Sequence, residues 1–570
     1  MRATVFHLAV IGGFALLLLS LFHLQFMQGS RLRALSDKNC IRLFEQEGAR
    51  GKILDRAGDI IVDSALSYDV MVVPQDQETM KTLFEEISKI VNLPAEVLKK
   101  RYRKSPVSSS LPVLIVKDID LHKAIALEER KIDLNGVTVQ LNPIRNYPYG
   151  SLASHVIGYL QEIDHWRLTK LEDYGYKTRD IVGYTGVEEK YDYYLRPEEG
   201  GTVIEVDHRG RLMRILGVRL PKNGKDIWLT LDLKMQKIVE DVFIDRSGSV
   251  VIMDPYSGEI AALTNGPNFN PLAFVKKNPA LLSPLFTDPQ APLLDRTLSS
   301  TYPAASVFKL VVAAAALDTG KINPAATFVC PGYLDIGNKR FKCWETHGAQ
   351  DLSQAIAHSC DVYFYHTGLL LGAQAIHDWA TKFGFGKPTQ VDLPYEVPGV
   401  VPGPLWKKIN RLQAWYDGDT ANFSIGQGDL LVTPLQVAKM TAVFANQGFL
   451  VTPYIVKAID GKDMSSYKKR LHKISFKKNT LEIIREGMRE AVSSPGGTAG
   501  TLSSLPVAVA GKTGTAQVTR GQPHAWFAGF FPFDNPKYVI VVFLEHGGSG
   551  QAAVGIAKQI IEGMTEQNLL

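Results

Sequence analysis

The chain is 570 residues long, 45% apolar and 21% charged, a globular composition that allows more than one domain with a sizeable core in each. A net charge of only +5, with no basic block and no nucleic-acid signature, argues against a nucleic-acid partner. Four cysteines are too few for a disulfide-built scaffold, and neither an internal repeat nor a long low-complexity tract stands out.

From the N-terminus, Ala3 to Met27 is 25 residues without a formal charge, densest in apolar residues from Leu8 to Phe22. About 20 apolar residues cross a bilayer core, so residues 1–27 read as a short tail and a retained membrane anchor. A cleaved leader would show a shorter apolar region and a small-residue cleavage site. Arg2 lies on one side of the stretch and Arg31, Arg33 and Lys38 on the other, so local charge alone does not set the orientation.

Residues 28–225 form a second region of mixed character. Met80, Leu83, Phe84, Ile87, Ile90 and Val91 recur at helical spacing, Asn92 and Pro94 end that helix and start another, and Tyr68 to Val73 reads as a strand. Three stretches hold no nucleophile beside a base: Arg50-Gly51-Lys52-Ile53-Leu54-Asp55-Arg56-Ala57-Gly58, Arg145 to Gly150, and Gly186-Val187-Glu188 with Tyr191-Asp192. Their Gly, Pro and paired Arg/Asp content predicts turns and an interdomain salt-bridge network.

The pattern changes near Gly224. Ile227 to Leu231 reads as a strand, followed by an amphipathic helix opened by Asp232, with Met235, Ile238, Val239, Val242 and Phe243 on one stripe. Ser249 to Met253 and Glu259 to Leu263 make a hairpin around the turn at Asp254 to Gly258. At the far end Val507 to Val518, His524 to Phe531 and Tyr538 to Glu545 are three more strands, and Ala552 to Met564 is a closing helix. Residues 226–570 are thus one α+β domain whose sheet is assembled from both ends.

Between those ends lies Tyr302-Pro303-Ala304-Ala305-Ser306-Val307-Phe308-Lys309, followed by the apolar run Leu310 to Leu317. A serine opening a helix with a lysine three residues on sets a hydroxyl and an amine one turn apart on the same face, a nucleophile beside a base. The S-x-x-K spacing also occurs at Ser465, Ser466 and Ser475, all in a polar, lysine-rich segment. Only Ser306 opens a buried-looking helix and is followed by Ser359-Cys360-Asp361 and then Lys512-Thr513-Gly514.

These three motifs, in this order and spacing, with the Arg50, Arg145 and Gly186 stretches, resemble the signature of the class B penicillin-binding proteins, and the likeness covers nearly the whole chain. Within that class Ser359-Cys360-Asp361, Trp415-Tyr416-Asp417-Gly418-Asp419, Ile425-Gly426-Gln427-Gly428 and His524-Ala525-Trp526-Phe527 look most like the branch serving cell elongation and shape. The third residue of the middle motif is Asp361 where the wider family usually has Asn.

The resemblance implies a penicillin-binding/β-lactamase-like transpeptidase domain, an antiparallel sheet with helices on both sides, preceded by a transmembrane helix and an elongated pedestal. It implies a serine-type peptidoglycan D,D-transpeptidase with a carboxypeptidase side activity, anchored by a single pass in the inner membrane, its catalytic domain in the periplasm. It further implies a stem pentapeptide as substrate, acylation by β-lactam antibiotics, and a SEDS-type glycosyltransferase and elongation scaffold proteins as partners. A β-lactamase is the rival enzyme, though such chains are typically secreted and lack a domain-sized pedestal. A non-enzymatic β-lactam sensor or scaffold is the rival from another class.

A serine hydroxyl needs a base to accept its proton, and Lys309 serves only if its own pKa is lowered, by burial and by a second cation such as Lys512. By resemblance, Ser359 relays a proton to the leaving amine, Asp361 completes the middle motif, and Thr513 and Thr515 offer hydroxyls to the substrate carboxylate. The backbone N–H groups of Ser306 and Thr515 form the oxyanion hole in the same reading. Gly514 leaves room for an extended peptide along its strand. Gly426-Gln427-Gly428 reads as a tight packing feature rather than a catalytic loop, and Trp415 either lines the groove or belongs to the core.

Cys330, Cys343 and Cys360 fall within 31 residues together with His347, spaced C-x12-C-x3-H-x12-C. Cys3His is a common closed zinc set, and zinc here would pin the middle motif to the preceding loop. The alternative is a Cys330-Cys343 disulfide, which leaves Cys360 an unpaired thiol beside the active site and open to oxidation; zinc is preferred on that ground. Cys40 belongs to neither scheme.

Overall fold

The computed structural model describes residues 2–104, 112–207, 212–468 and 471–570. The chain divides into two compact units. One takes residues 1–51, 64–145 and 196–224; the other takes 52–63, 146–195 and 225–570.

In the first unit the helix Arg2–Phe22 continues through a π-helical turn, His23–Met27. The apolar stretch Thr4–Met27 buries none of its surface in the protein, as expected of an anchor. The helix Gly29–Cys40 leads to an antiparallel sheet ordered Ile41–Gln46, Gly200–Val206, Leu212–Arg219. Asp76 caps the helix Gln77–Val91 by accepting Thr79 N at 3.0 Å, and Asn92 ends it in the left-handed region. Met80, Leu83, Phe84, Ile87 and Val91 fill the small core against the strand Val113–Ile119, as their spacing predicts.

The second unit is built on a five-stranded antiparallel sheet ordered Ile260–Gly266, Gly248–Met253, Tyr538–Leu544, His524–Phe531, Ala510–Ala516. Strand alternation assigns the faces. Val250, Ile252, Phe527, Ile540 and Val542 pack with Met235 and Val239 of the helix Leu233–Phe243 and Ile556 and Ile560 of the closing helix Gly550–Glu566. Val251, Met253, Trp526, Val541 and Phe543 face the opposite core, with the helices Lys309–Thr319 and Pro434–Ala445. Helices therefore cover both sides, as the α+β reading expected. The strands at Ile227 and Ala510 are shorter than predicted, Ile227–Leu229 and Ala510–Ala516.

By contacts, residues 52–63 and 146–195 of the stretch 28–225 pack with the C-terminal unit. Ile53 and Leu54 pair in parallel with Ile227 and Trp228, and Lys52 N donates to Asp226 Oδ1 at 2.7 Å. Tyr191 OH donates to Asp392 Oδ2 at 2.7 Å, so the Gly186 stretch is held by residues some 200 positions away. Local pattern locates such segments but carries no information on which body they join. Some charged side chains of these stretches have partners inside their own unit. Arg145 donates to Gly51 O at 2.6 Å in the first. In the second, Arg56 pairs with Glu259 at 2.8 Å and buried Asp55 accepts the N–H groups of Ala57, Asp59 and Leu233.

Asp55→Ala strips the partner from those three N–H groups and is expected to destabilise the C-terminal unit by about 2–3 kcal/mol, read as a lowered denaturant midpoint. Arg56→Ala, which loses a partly exposed pair, should shift it by less than about 1 kcal/mol.

Candidate active site

Ser306 lies on the turn joining a bridged segment to a buried helix. Tyr302 exchanges two backbone hydrogen bonds with Val432, at 2.9 and 2.8 Å, and Trp526 Nε1 donates to Pro303 O at 3.1 Å. Ala305 then takes φ +51°, a left-handed conformation unusual for a residue with a Cβ, and its N–H donates to Gly426 O at 2.8 Å. The chain continues as a 3-10 turn, Ala305–Phe308, so the α-helix predicted to open at Ser306 begins at Lys309. Ser306 stays half-buried, whereas every residue from Val307 to Leu317 is buried.

Lys309 is fully buried, and its amine meets three oxygens of the middle motif. Nζ lies 2.7 Å from Asp361 Oδ1, 2.8 Å from Ser359 O and 3.3 Å from Ser359 Oγ. Ser359 itself has φ +55° and sits between the helices Leu352–Ala357 and Asp361–Leu371. Asp361, where an Asn is usual, gives Lys309 an anion that an amide would not provide. Burial pushes the Asp361 carboxyl up, against the pull of Lys309.

Lys512 is also fully buried, on the edge strand Ala510–Ala516, with Nζ donating to Thr513 O at 3.1 Å. Burial pushes its pKa well below the ordinary lysine value, and the neighbouring Lys309 cation adds to the push. The two amines and the middle motif thus share one dry cleft.

Next on the strand, a Cβ on Gly514 would lie 3.3 Å from Ala305 Cβ and 3.5 Å from Ser306 N. The glycine therefore brings the strand against the nucleophile turn, a reason for its place that sequence reasoning did not give. Thr515 is exposed, and its Oγ1 accepts Gly550 N at 3.0 Å, so the N-terminus of the closing helix abuts this strand. Its partial positive charge favours an anion there. Gly550, Ala305 and the contact from Gly426 were missed as site elements, because each works through backbone geometry rather than a reactive side chain. Trp415 is half-buried, donates to Thr420 Oγ1 at 2.8 Å and packs edge-on against Phe423. Of the other S-x-x-K serines, Ser465 opens the short helix Ser465–Lys468 and Ser475 lies outside any helix. The Ser466 pattern ends on Lys469, which lies outside the described residues.

Beside the cleft, one ligand atom each from Cys330, Cys343, His347 and Cys360 falls within 4.8 Å of the others. His347 Nδ1 is 3.5 Å from Cys343 Sγ and 3.6 Å from Cys330 Sγ, and Asp361 N donates to Cys343 Sγ at 3.2 Å. Cys360 caps the helix Asp361–Leu371 by accepting Tyr363 N.

Comparison with known proteins agrees with this geometry. Residues 248–562 match the family model of the penicillin-binding protein transpeptidase domain, and residues 45–229 that of the penicillin-binding protein dimerisation domain. The chain is 32% identical to the peptidoglycan D,D-transpeptidase MrdA of Acinetobacter baumannii, over 95% of this chain and 84% of the relative. It is similar to the penicillin-binding protein PBP2 of Helicobacter pylori, solved in complex with MreC, with a TM-score of 0.82 and 31% identity over 93% of this chain and all of that one. A chain in a peptidoglycan synthase complex described as coordinating polymerization and crosslinking matches at TM-score 0.74 and 29% identity, with 98% of each chain covered.

The buried amine of Lys512 sets a pH dependence. Its folded pKa lies below that of the unfolded chain, so the unfolded state holds the extra proton between the two values and stability rises with pH across that window. The unfolding free energy of the intact chain minus that of Lys512→Met is expected to grow as pH rises toward the ordinary lysine value of about 10.4, by up to about 1.4 kcal/mol per pH unit. A constant difference would mean that Lys512 keeps its proton on folding.

Proposed function

The chain belongs to the penicillin-binding proteins and is a peptidoglycan D,D-transpeptidase that cross-links the cell wall; from that premise we propose that it works as a serine acyltransferase with Ser306 as nucleophile. The observation that carries the proposal is the buried Lys309 amine, held by Ser359 and Asp361 one turn from Ser306. A uniformly solvated Ser-Lys pair would need none of this burial.

Ser306 Oγ attacks the carbonyl carbon of the penultimate D-Ala of a stem pentapeptide while Lys309 takes its proton. The oxyanion is met by the N–H groups of Ser306 and Thr515, with Gly514 keeping the two chain segments together. Thr513 and Thr515, with the positive end of the closing helix, receive the terminal carboxylate. As the acyl C–N bond breaks, Ser359 passes a proton to the departing D-Ala amine. An amine of a neighbouring stem then attacks the ester and frees Ser306, and water in its place gives a carboxypeptidase side reaction. Lys512, whose hold on a proton burial weakens, lies beside Lys309 in the same site.

The N-terminal helix serves as a single-pass anchor in the inner membrane, and a peptidoglycan substrate supports a periplasmic position for the catalytic domain. The complexes of the similar proteins support a polymerising glycosyltransferase of the SEDS type and an elongation scaffold as partners. Zinc on Cys330, Cys343, His347 and Cys360 is proposed as a structural ion. Tetrahedral Zn–S and Zn–N bonds place neighbouring sulfur and nitrogen ligands about 3.6 Å apart. The Cys–His separations of 3.5 and 3.6 Å suit that geometry.

Labelled penicillin should form a stable adduct on Ser306, seen by intact mass and peptide mapping, and Ser306→Ala should abolish it. Capture of penicillin by that variant would refute the assignment. Protein purified without chelator should carry about one zinc per chain, with all four thiols titratable after denaturation in chelator. A zinc-free chain with one disulfide refutes the metal.

A further inference from the structure

We infer that Gln427 is a positioning residue for acyl transfer, holding the Thr515 side of the oxyanion hole in register with the Ser306 side. The inference rests on the serine reading above and goes beyond it, since Gln427 touches neither the reacting atoms nor the three signature motifs.

The argument starts from the strand edge. Ala510–Ala516 ends the five-stranded sheet, so one of its edges has no neighbouring strand. Within an antiparallel strand the N–H and C=O of one residue point to the same side, and residues two apart share it. Thr513 O meets Lys512 Nζ and Thr515 O meets Gln427 Nε2 at 3.4 Å, so both carbonyls lie on the free edge, and the Thr515 N–H points the same way. No strand pairs with that edge, and at Thr515 it is the carboxamide of Gln427 that meets its carbonyl.

The same turn also grips the nucleophile. Gly426 O accepts the N–H of Ala305, and Gly426 has φ +75° with no room for a side chain, since a Cβ would fall 2.1 Å from Ala305 O and 2.8 Å from Phe308 Cβ. The turn is fixed in place by the helix Asp417–Ser424, with Gly426 N and Gln427 N donating to Phe423 O and Asn422 O at 3.0 and 2.9 Å. Two consecutive residues on one rigid turn therefore hold the two chain segments that supply the oxyanion donors, Gly426 through Ala305 and Gln427 through Thr515. Oxyanion donors act only when placed to within a few tenths of an ångström of the developing charge, so this spacing bears on rate rather than on ground-state binding.

The test uses the full chain in detergent and a fluorescent penicillin, resolving the acylation rate constant k2 from the pre-acylation dissociation constant. Gln427→Met keeps the side chain's length and removes the donor; Gln427→Ala removes both. Both are expected to lower k2 about tenfold or more, with the dissociation constant within about twofold of the parent. The thermal midpoint should be unchanged; should Gln427→Ala fail to fold, Gln427→Met carries the test. A parent-like k2 in Gln427→Met would overturn the inference by showing that the contact is packing alone. A loss in Gln427→Ala confined to the dissociation constant would also overturn it, making Gln427 a substrate contact. Failure of the serine reading is separate, since then the parent chain itself would show no Ser306 adduct.

Discussion

The site depends on the burial of one amine. A lysine removed from water loses several kcal/mol of hydration, and only a well-placed anion and further acceptors offset the loss. Lys309 is fully buried at the head of an apolar helix, and its amine meets the three oxygens of Ser359 and Asp361. The arrangement requires Ser359 to sit at φ +55° between two helices, and the packing of those helices holds that conformation. Lys512, equally buried, has only a backbone carbonyl, and burial weakens its hold on a proton. The two buried amines thus differ in their partners, set by which of them the middle motif reaches.

The Cys360 position shows what the middle motif gives up. It is the N-cap of Asp361–Leu371, where Ser, Thr, Asp or Asn would accept the first N–H groups with a hard oxygen, and here a sulfur accepts Tyr363 N at 3.5 Å. A weaker cap is retained at the residue between two members of the motif. In return Cys360 joins Cys330, Cys343 and His347, and Cys343 Sγ accepts the N–H of Asp361. The residue paired with Lys309 is therefore held from its backbone by the cysteine cluster and from its side chain by the amine.

Much of the second unit is legible in the sequence because local signals and tertiary roles coincide there. Val250 and Ile252 alternate with Val251 and Met253, and the two sets enter different cores; Asp232 caps the helix it precedes. The allocation of residues 52–63 and 146–195 was not legible, since Ile53 reveals its body only by pairing with Ile227 and Tyr191 by reaching Asp392. In the site, reactive side chains could be read from type and spacing. The 3-10 turn at Ser306 could not, because Ala305 is driven into the left-handed region by a contact to Gly426, 121 positions away.

That contact explains why S-x-x-K spacing alone says so little. The Ser465 pair meets the same spacing and forms a helical turn, yet Asp463 is the residue that caps it. Ser306 differs because its turn is enclosed by absences: a Cβ at Gly426 would strike Ala305 O, and one at Gly514 would crowd Ala305 Cβ. Glycine at both places lets two distant segments close on a non-glycine residue in an unfavourable conformation and hold it there. The nucleophile is thus set by residues 302–309, 425–428 and 510–526 together. Each segment contributes backbone geometry to the turn that carries Ser306.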